Sequence, residues 1–472
     1  MSTGQPAEPG EHCGVADIRR SLSYLMPHLT PYWVRPLRSY ASAVYEIEHH
    51  QSDSAARNHA MDLLRNCIER AARRSGYNDE EARSASLELL ASPVLQTGPH
   101  CLLVLEPDAF YTHLFSLLGL MAHGRQWHIT YFVSTSAFKE RAKKGPGWLQ
   151  LEGEPLNLFG LPRSRMDGSS IACSNGSYRF ALSNSTGEAA PNASAVRLLE
   201  ELPSAAFPSA AEAIRTANQT LWRHKFPASV KLLQLDDLDI ADLIADHLSD
   251  EGSWISAHMI GDGAIAESIS SEIDRLNAGA WGGWIRRTTD FFWRMEKNRV
   301  VPLRLQAGML RTDRSSTSFE VGFNPGSLAT ALRQRTILPS LFTAFLVTSI
   351  LPGVRVLGGC RQTVYFPLMR YLASIGIERS GDLSLVKALT EDDRPGLWGH
   401  RVLRPSGGYP FHEIERAHSV LPLLATYAEM PLLHASGDLA SFTTDPIWRK
   451  LSGHIAAGAI TRASDEWRWS GA

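Results

Sequence analysis

The sequence predicts an α/β protein: a parallel-sheet core with a helical N-terminal segment, a helical insertion and a helical, loop-rich C-terminal tail. Three observations predict it. Between residues 92 and 133 the chain runs apolar strand, glycine loop, helix, apolar strand, which is the order of a βαβ unit. Further on, the apolar strand Val354 to Leu357 enters Gly358-Gly359 and then a helical segment. The stretches 15–91 and 210–299 carry apolar residues at helical spacing.

Composition narrows the function classes. The 472 residues are 44% hydrophobic and 20% charged, an ordinary globular balance that excludes a disordered, collagen-like or coiled-coil chain. With 47 basic and 49 acidic side chains, no global field draws nucleic acid or an anionic membrane. Cys13, Cys67, Cys101, Cys173 and Cys360 are far apart and include no Cys-x-x-Cys, so neither a disulfide framework nor a zinc site is expected. Residues 1–14 are polar and lack an apolar signal core, and a reduced cytoplasmic setting is the expectation. The charge-free stretch Ile337 to Val354 contains Pro339 and Pro352 and no aromatic belt, which predicts a buried core segment rather than a membrane span.

Taken in order, Ile18, Leu22 and Leu25, then Met61, Leu64, Ile68 and Ala72, predict helices through residues 15–91. At Ser92-Pro93 the texture changes to the strand Val94-Leu95, which ends in Thr97-Gly98-Pro99-His100. The apolar run Cys101 to Leu105 breaks at Glu106-Pro107. Asp108 then takes the N-cap place of a helix whose face is Phe110, Leu114, Leu117, Leu118 and Met121. His128 to Val133 is a continuous β-rich run of the kind a parallel sheet buries on both faces. Glycines 153, 160, 168 and 176 predict hairpins from Trp148 to Leu182, and 183–209 reads as a surface connection with one short helix. The acidic stretch Asp236 to Asp250 alternates with Leu238, Ile240, Leu243 and Leu248, which predicts a solvated helix face rather than a metal site. Val300 to Gly322 predicts two strands around a polar turn at Asp313 to Ser316. The expected segments are 1–91 (N-terminal helices), 92–190 (first part of the core), 191–299 (mostly helical insertion), 300–390 (second part of the core) and 391–472 (tail).

The chemistry-bearing candidates cluster at two strand ends. Thr97-Gly98 follows a strand and precedes a helix, where backbone N–H groups and the helix dipole bind phosphate or carboxylate, although any tight turn can also require such a glycine. Gly358-Gly359-Cys360-Arg361-Gln362 is a second loop of this kind. Two such loops on one parallel sheet would meet at a topological switch point, where α/β enzymes bind nucleotides and small substrates. His100 and His113 flank the first loop, and a lone histidine is as readily structural as functional. Cys360 reads as packing or substrate contact ahead of nucleophile. Gly261-Asp262-Gly263 mimics a dinucleotide fingerprint without an evident strand-to-helix context. No Gly-x-Ser-x-Gly, Walker A lysine loop or His-Glu-x-x-His occurs, which lowers common hydrolases, P-loop NTPases and zincins.

Several of these segments, in order, resemble the family of the cysteine-adding enzyme of bacillithiol biosynthesis. Thr97-Gly98-Pro99-His100, Glu106-Pro107 and Tyr111-Thr112 stand where that family has Thr-Gly-Gln-Gln, Gly-Pro and Tyr-Thr. Leu351-Pro352, the strand Val354 to Leu357, Gly358-Gly359 and Tyr365-Phe366 follow the family's later Leu-Pro, strand, Gly-Gly-Pro-Gly-Glu and aromatic pair. The matches cover 92–180 and 300–380. The departures are Pro99-His100 for Gln-Gln, Cys360-Arg361-Gln362 in the second loop, and Ser134-Thr135-Ser136 in place of acidic and histidine residues.

The resemblance implies a Rossmann-like core akin to nucleotidyltransferases and class I aminoacyl-tRNA synthetases. It implies an enzyme joining an activated amino acid, cysteine by analogy, to an amine on a small metabolite. His100, Arg361 and Gln362 would act on the reacting groups, with Arg361 pairing to phosphate or carboxylate. Thr97, Gly98, Tyr111, Thr112, Ser134, Thr135, Gly358 and Gly359 would bind the cofactor. The donor would be activated with ATP or arrive as aminoacyl-tRNA, in which case Arg286-Arg287 and Arg294 to Arg304 would meet RNA. No metal and no membrane partner are expected. A non-catalytic scaffold that kept the pocket is the reading from a different class, and the altered loop residues favour it.

Overall fold

The computed structural model describes residues 14–47, 52–138, 145–312, 318–405 and 408–471. It is mixed α/β around a five-stranded parallel sheet: β1 (Val94–Gln96), β2 (Trp127–Tyr131), β3 (Lys231–Leu235), β4 (Arg355–Gly358) and β5 (Gly396–Trp398). The spatial order is β5-β4-β1-β2-β3, and each neighbouring pair is parallel. The chain lays down β1, β2 and β3 towards one edge, then returns to the other side of β1 for β4 and β5. Strand order thus reverses between β1 and β4, and in such sheets a crevice opens at the carboxyl ends of the strands on either side of the reversal.

The strands are short and almost wholly buried, as the near-continuous apolar runs required. Their polar members are paired internally. Gln96 donates through Nε2 to the Leu357 carbonyl at 3.0 Å and accepts from Ser116 Oγ at 3.0 Å. His113 Nδ1 and His128 Nε2 lie 2.9 Å apart, against Trp222. Burial holds both histidines well below the usual imidazole range, that of His113 down to about 3. His113 is therefore a neutral core residue.

Three expectations change. Residues 191–299 are not only an insertion, because β3 at 231–235 closes one edge of the central sheet. The pair of strands expected from Val300 to Gly322 is three, Arg299–Gln306, Met309–Thr312 and Glu320–Gly322, in a second, antiparallel five-stranded sheet with Phe292–Glu296 and Ile337–Pro339. Its tight turn is Ala307-Gly308, with φ of 49° and 72°, the left-handed pair a two-residue hairpin needs. The turn expected at Asp313 to Ser316 lies outside the described residues.

The acidic stretch differs most. Asp236, Asp237 and Asp239 are buried at the start of the helix α2 (Asp237–Ser249) rather than solvated. Arg215 pairs with Asp236 at 3.0 Å and Arg74 with Asp239, so two distant helices supply the countercharge. Periodicity marked the apolar stripe but could not reveal that the helix N-terminus is covered.

Residues 337–354 form a short strand, a helical turn and a π-type turn, and most are buried. Among the described residues no helix is long and apolar enough to cross a membrane.

Candidate functional site

Three strand ends converge where the sheet order reverses. The loop after β1 (Thr97 to His100), the loop after β4 (Gly359 to Gln362) and the segment after β5 (His400 to Arg404) wall a cavity of about 620 Å3. The start of the helix α1 (Pro107–Ala122) and residues from 441 to 446 complete it.

His400 stands at its centre. A Cβ on Gly98 would lie 2.9 Å from the His400 Cγ, and one on Gly359 would lie 3.2 Å from its Cδ2. The imidazole is therefore held between the two loops, and each glycine is there to admit it. Its Nδ1 lies 2.9 Å from Thr112 Oγ1, which donates to the Asp108 carbonyl at 2.8 Å and accepts from the Arg401 N–H at 3.0 Å. With the Thr112 proton committed to Asp108, the Nδ1 of His400 must be the donor, which leaves Nε2 as a lone pair. Burial, reinforced by Arg401, holds His400 well below the usual imidazole range, so the ring is neutral at pH 7.

The charges around it are matched in pairs. Arg361 forms a fork on Asp445, Nε to Oδ2 at 2.6 Å and Nη2 to Oδ1 at 2.9 Å. Asp108 receives Arg401 at 2.5 Å and Arg404 at 2.7 Å. Asp108 is not the N-cap the sequence suggested: Glu106 takes that place with Pro107 behind it, and the Asp108 side chain turns to the two arginines. Arg401 has φ of 56°, a conformation unusual for a side chain of its size. Glu106 also lines the cavity and accepts from the Gln150 N–H at 2.9 Å. Cys360 is no activated nucleophile, since burial, with Asp445 beside it, pushes its thiol up to about 11.

The residues singled out in the sequence divide. Thr97, Gly98, His100, Gly359, Arg361 and Gln362 all line the cavity, with His100 exposed on it. Gln362 works as a clamp between the loops: its Nε2 donates to Thr97 Oγ1 at 2.6 Å, Tyr365 donates to its Oε1 at 3.1 Å, and its carboxamide lies where a Gly358 Cβ would be. Arg361 is committed to Asp445 rather than open to a ligand. Thr112 reaches the site through His400 and the Arg401 N–H.

Tyr111 and the residues after β2 go elsewhere. Tyr111 donates to Glu413 at 3.0 Å and packs on Tyr427, outside the cavity walls. Ser134 and Thr135 give their backbone N–H groups to Asp237 Oδ2, at 2.6 and 2.7 Å, and Ser134 Oγ adds a third bond at 2.9 Å. Tyr131 donates to the other oxygen at 2.6 Å. These donors hold a buried carboxylate, not a cofactor.

Sequence reasoning missed His400, Arg401, Arg404, Asp108 as a side chain of the site, and Asp445. One signal was present: Gly396-Leu397-Trp398 followed by Gly399-His400 is a third short apolar strand ending in glycine. Gly261-Asp262-Gly263 follows a helical turn, Ile255–Ile260, and Asp262 caps the next helix, so it lacks the strand that a dinucleotide loop needs. Several arginines proposed for RNA already have partners: Arg287 on Asp274 and Asp290, Arg299 on Glu296, and Arg294 over the Phe319 ring. Among the described residues no cluster of three or more His, Cys, Asp or Glu is arranged to hold a metal ion. No family model matches the chain, and no curated protein matches it.

Proposed function

We propose that this chain is a Rossmann-like amino-acid ligase or aminoacyl transferase that joins an activated amino acid to the amine of a small metabolite at the switch-point cavity. The observation that carries this reading is His400, a neutral imidazole held between two strand-end loops with its Nε2 lone pair uncommitted among the described residues. The acceptor amine attacks the acyl carbon and forms the amide C–N bond. The acyl C–O bond breaks, its electron pair leaving with phosphate, nucleotide or the tRNA hydroxyl, and the amine proton passes to His400 Nε2. Arg401 and Arg404, two cations that share the single Asp108 carboxylate, supply positive charge near the leaving group, and binding both partners supplies the entropic advantage. The depressed pKa keeps His400 unprotonated across the neutral range and by the same cause makes Nε2 a weak base, so its part is to orient the amine and accept its proton only in passing.

Thermal-shift titration with ATP, each amino acid and bulk charged tRNA tests this, because a ligand that binds only the folded protein raises its melting temperature. Stabilisation by ATP with an amino acid supports the ligase, and by charged tRNA alone the transferase; turnover should then fall at least tenfold in His400→Gln with folding unchanged. No response to any of them would sink the reading. A binding protein without turnover is the second reading, favoured by the engagement of Arg361 with Asp445 and of Gln362 with Thr97. It predicts stabilisation without product.

A further inference from the structure

Arg361 and Tyr365 are wall residues of the switch-point cavity. The same two residues line an adjoining chamber of about 320 Å3 between α3 (Gln362–Ser380) and residues 283–291. Its walls mix polar groups, Ser270, Thr288, Thr289 and Asp290 among them, with apolar side chains, of which Trp284, Ile285, Phe342 and Met369 each keep a residual 7% exposure. The walls are rigidly backed. Trp284 packs edge-on against Trp448, whose indole N–H donates to the Cys360 carbonyl at 3.0 Å, and Phe342 packs on Phe291. Asp290, within it, is satisfied by Arg287 and by the Leu305 N–H. Arg286 is exposed and lines the chamber, and its side chain forms no ion pair or hydrogen bond among the described residues.

A chamber with aromatic and aliphatic wall groups that shares wall residues with a charged cavity suits a ligand with an ionic head and a bulky apolar group. A small side chain such as that of cysteine would leave most of the chamber empty and forfeit the contacts its walls can make. We propose that the chamber is the side-chain pocket for the donor amino acid, and that this donor is large and apolar, aromatic by preference, rather than the cysteine that the family resemblance suggests. This rests on the aminoacyl reading above. The backbone carboxyl or acyl-phosphate of the donor then lies towards the switch-point cavity and its Arg401 and Arg404, with exposed Arg286 at the chamber wall.

The test is calorimetric titration of the full-length protein with L-tryptophan, L-phenylalanine and L-cysteine, each with and without ATP. The variants Leu341→Trp and Met369→Trp fill the chamber from two different helices, so that one remains informative should the other fail to fold. The expected result is at least tenfold tighter binding of an aromatic amino acid than of cysteine, lost at least tenfold in a folded filling variant. Tighter binding of cysteine, no binding of either aromatic amino acid, or aromatic binding indifferent to filling would overturn the assignment. Cysteine binding accompanied by transfer would leave the aminoacyl reading standing. Aromatic binding without transfer under either form of activation would do the reverse, overturning the transferase and sparing the chamber.

Discussion

Asp237→Ala should unfold the β2 exit more than any exposed substitution near the site. The carboxylate is buried at the first position of α2 and accepts four hydrogen bonds, from Tyr131 Oη, Ser134 N, Ser134 Oγ and Thr135 N. The two hydroxyls can rotate to other partners, but the backbone N–H groups cannot. A buried donor left unmade costs about 1–3 kcal/mol, and with Thr135 half-buried and open to some hydration the two together come to about 3 kcal/mol. Unfolding entropy of about 2.1 cal/mol/K per residue scales to roughly 1 kcal/mol/K for a chain of 472 residues, so a cooperative melt shifts by about 3 °C. Asp237→Asn keeps the shape, turning its carbonyl to the two N–H groups and its amide to Tyr131, and should cost about 1 kcal/mol. Burial holds the Asp237 pKa above the ordinary carboxylate value. A raised folded pKa gives a contribution that is full below the unfolded value and is lost as pH rises through the folded one. Asparagine does not titrate, so the Asp237→Asn penalty should be greatest in acid and shrink through that window. Calorimetric melts of both variants from pH 4 to 8 measure this. An alanine variant as stable as the parent, or an asparagine variant as damaged as the alanine one, would refute the reasoning.

Cys360→Ser should leave ligand binding within twofold. Site-resolved alkylation at pH 7.5 should find Cys360 roughly 100-fold slower than a free thiol, because its pKa is pushed up to about 11. Gly98→Ala places a methyl 2.9 Å from the His400 ring and should cost about 1–3 kcal/mol of stability, read by melting, with a larger loss of ligand affinity as the imidazole is displaced. Asp108→Asn removes the shared carboxylate of Arg401 and Arg404. Partly exposed charges about 5 Å apart are worth about 1 kcal/mol after screening, so pyrophosphate should bind about fivefold tighter at 50 mM salt and lose the gain at 300 mM.

The parts of the site legible in the sequence were those with a local pattern: a short apolar strand, glycine, then a helix start. That pattern located the loops after β1 and β4 and brought Thr97, Gly98, His100, Arg361 and Gln362 to one crevice. What stayed hidden were pairings, because a residue type does not announce its partner. Thr112 meets His400 across 288 positions and Arg361 meets Asp445 across 84, and neither separation leaves a periodic trace. Asp236 and Asp239 looked solvated for the same reason, since their arginines arrive from other helices. The glycines carry the sharpest lesson. Gly98 and Gly359 read naturally as turn residues, yet neither has a positive φ, and both instead leave room for the His400 ring, Gly98 beside Cγ and Gly359 beside Cδ2. A glycine needed for backbone conformation tolerates no side chain whatever its neighbours are. A glycine needed for clearance becomes replaceable once the neighbour shrinks. Combining Gly98→Ala with His400→Ala should therefore restore the stability lost in Gly98→Ala alone. A double variant as unstable as the sum of the singles would return Gly98 to the status of an ordinary turn residue and remove His400 from the centre of the site.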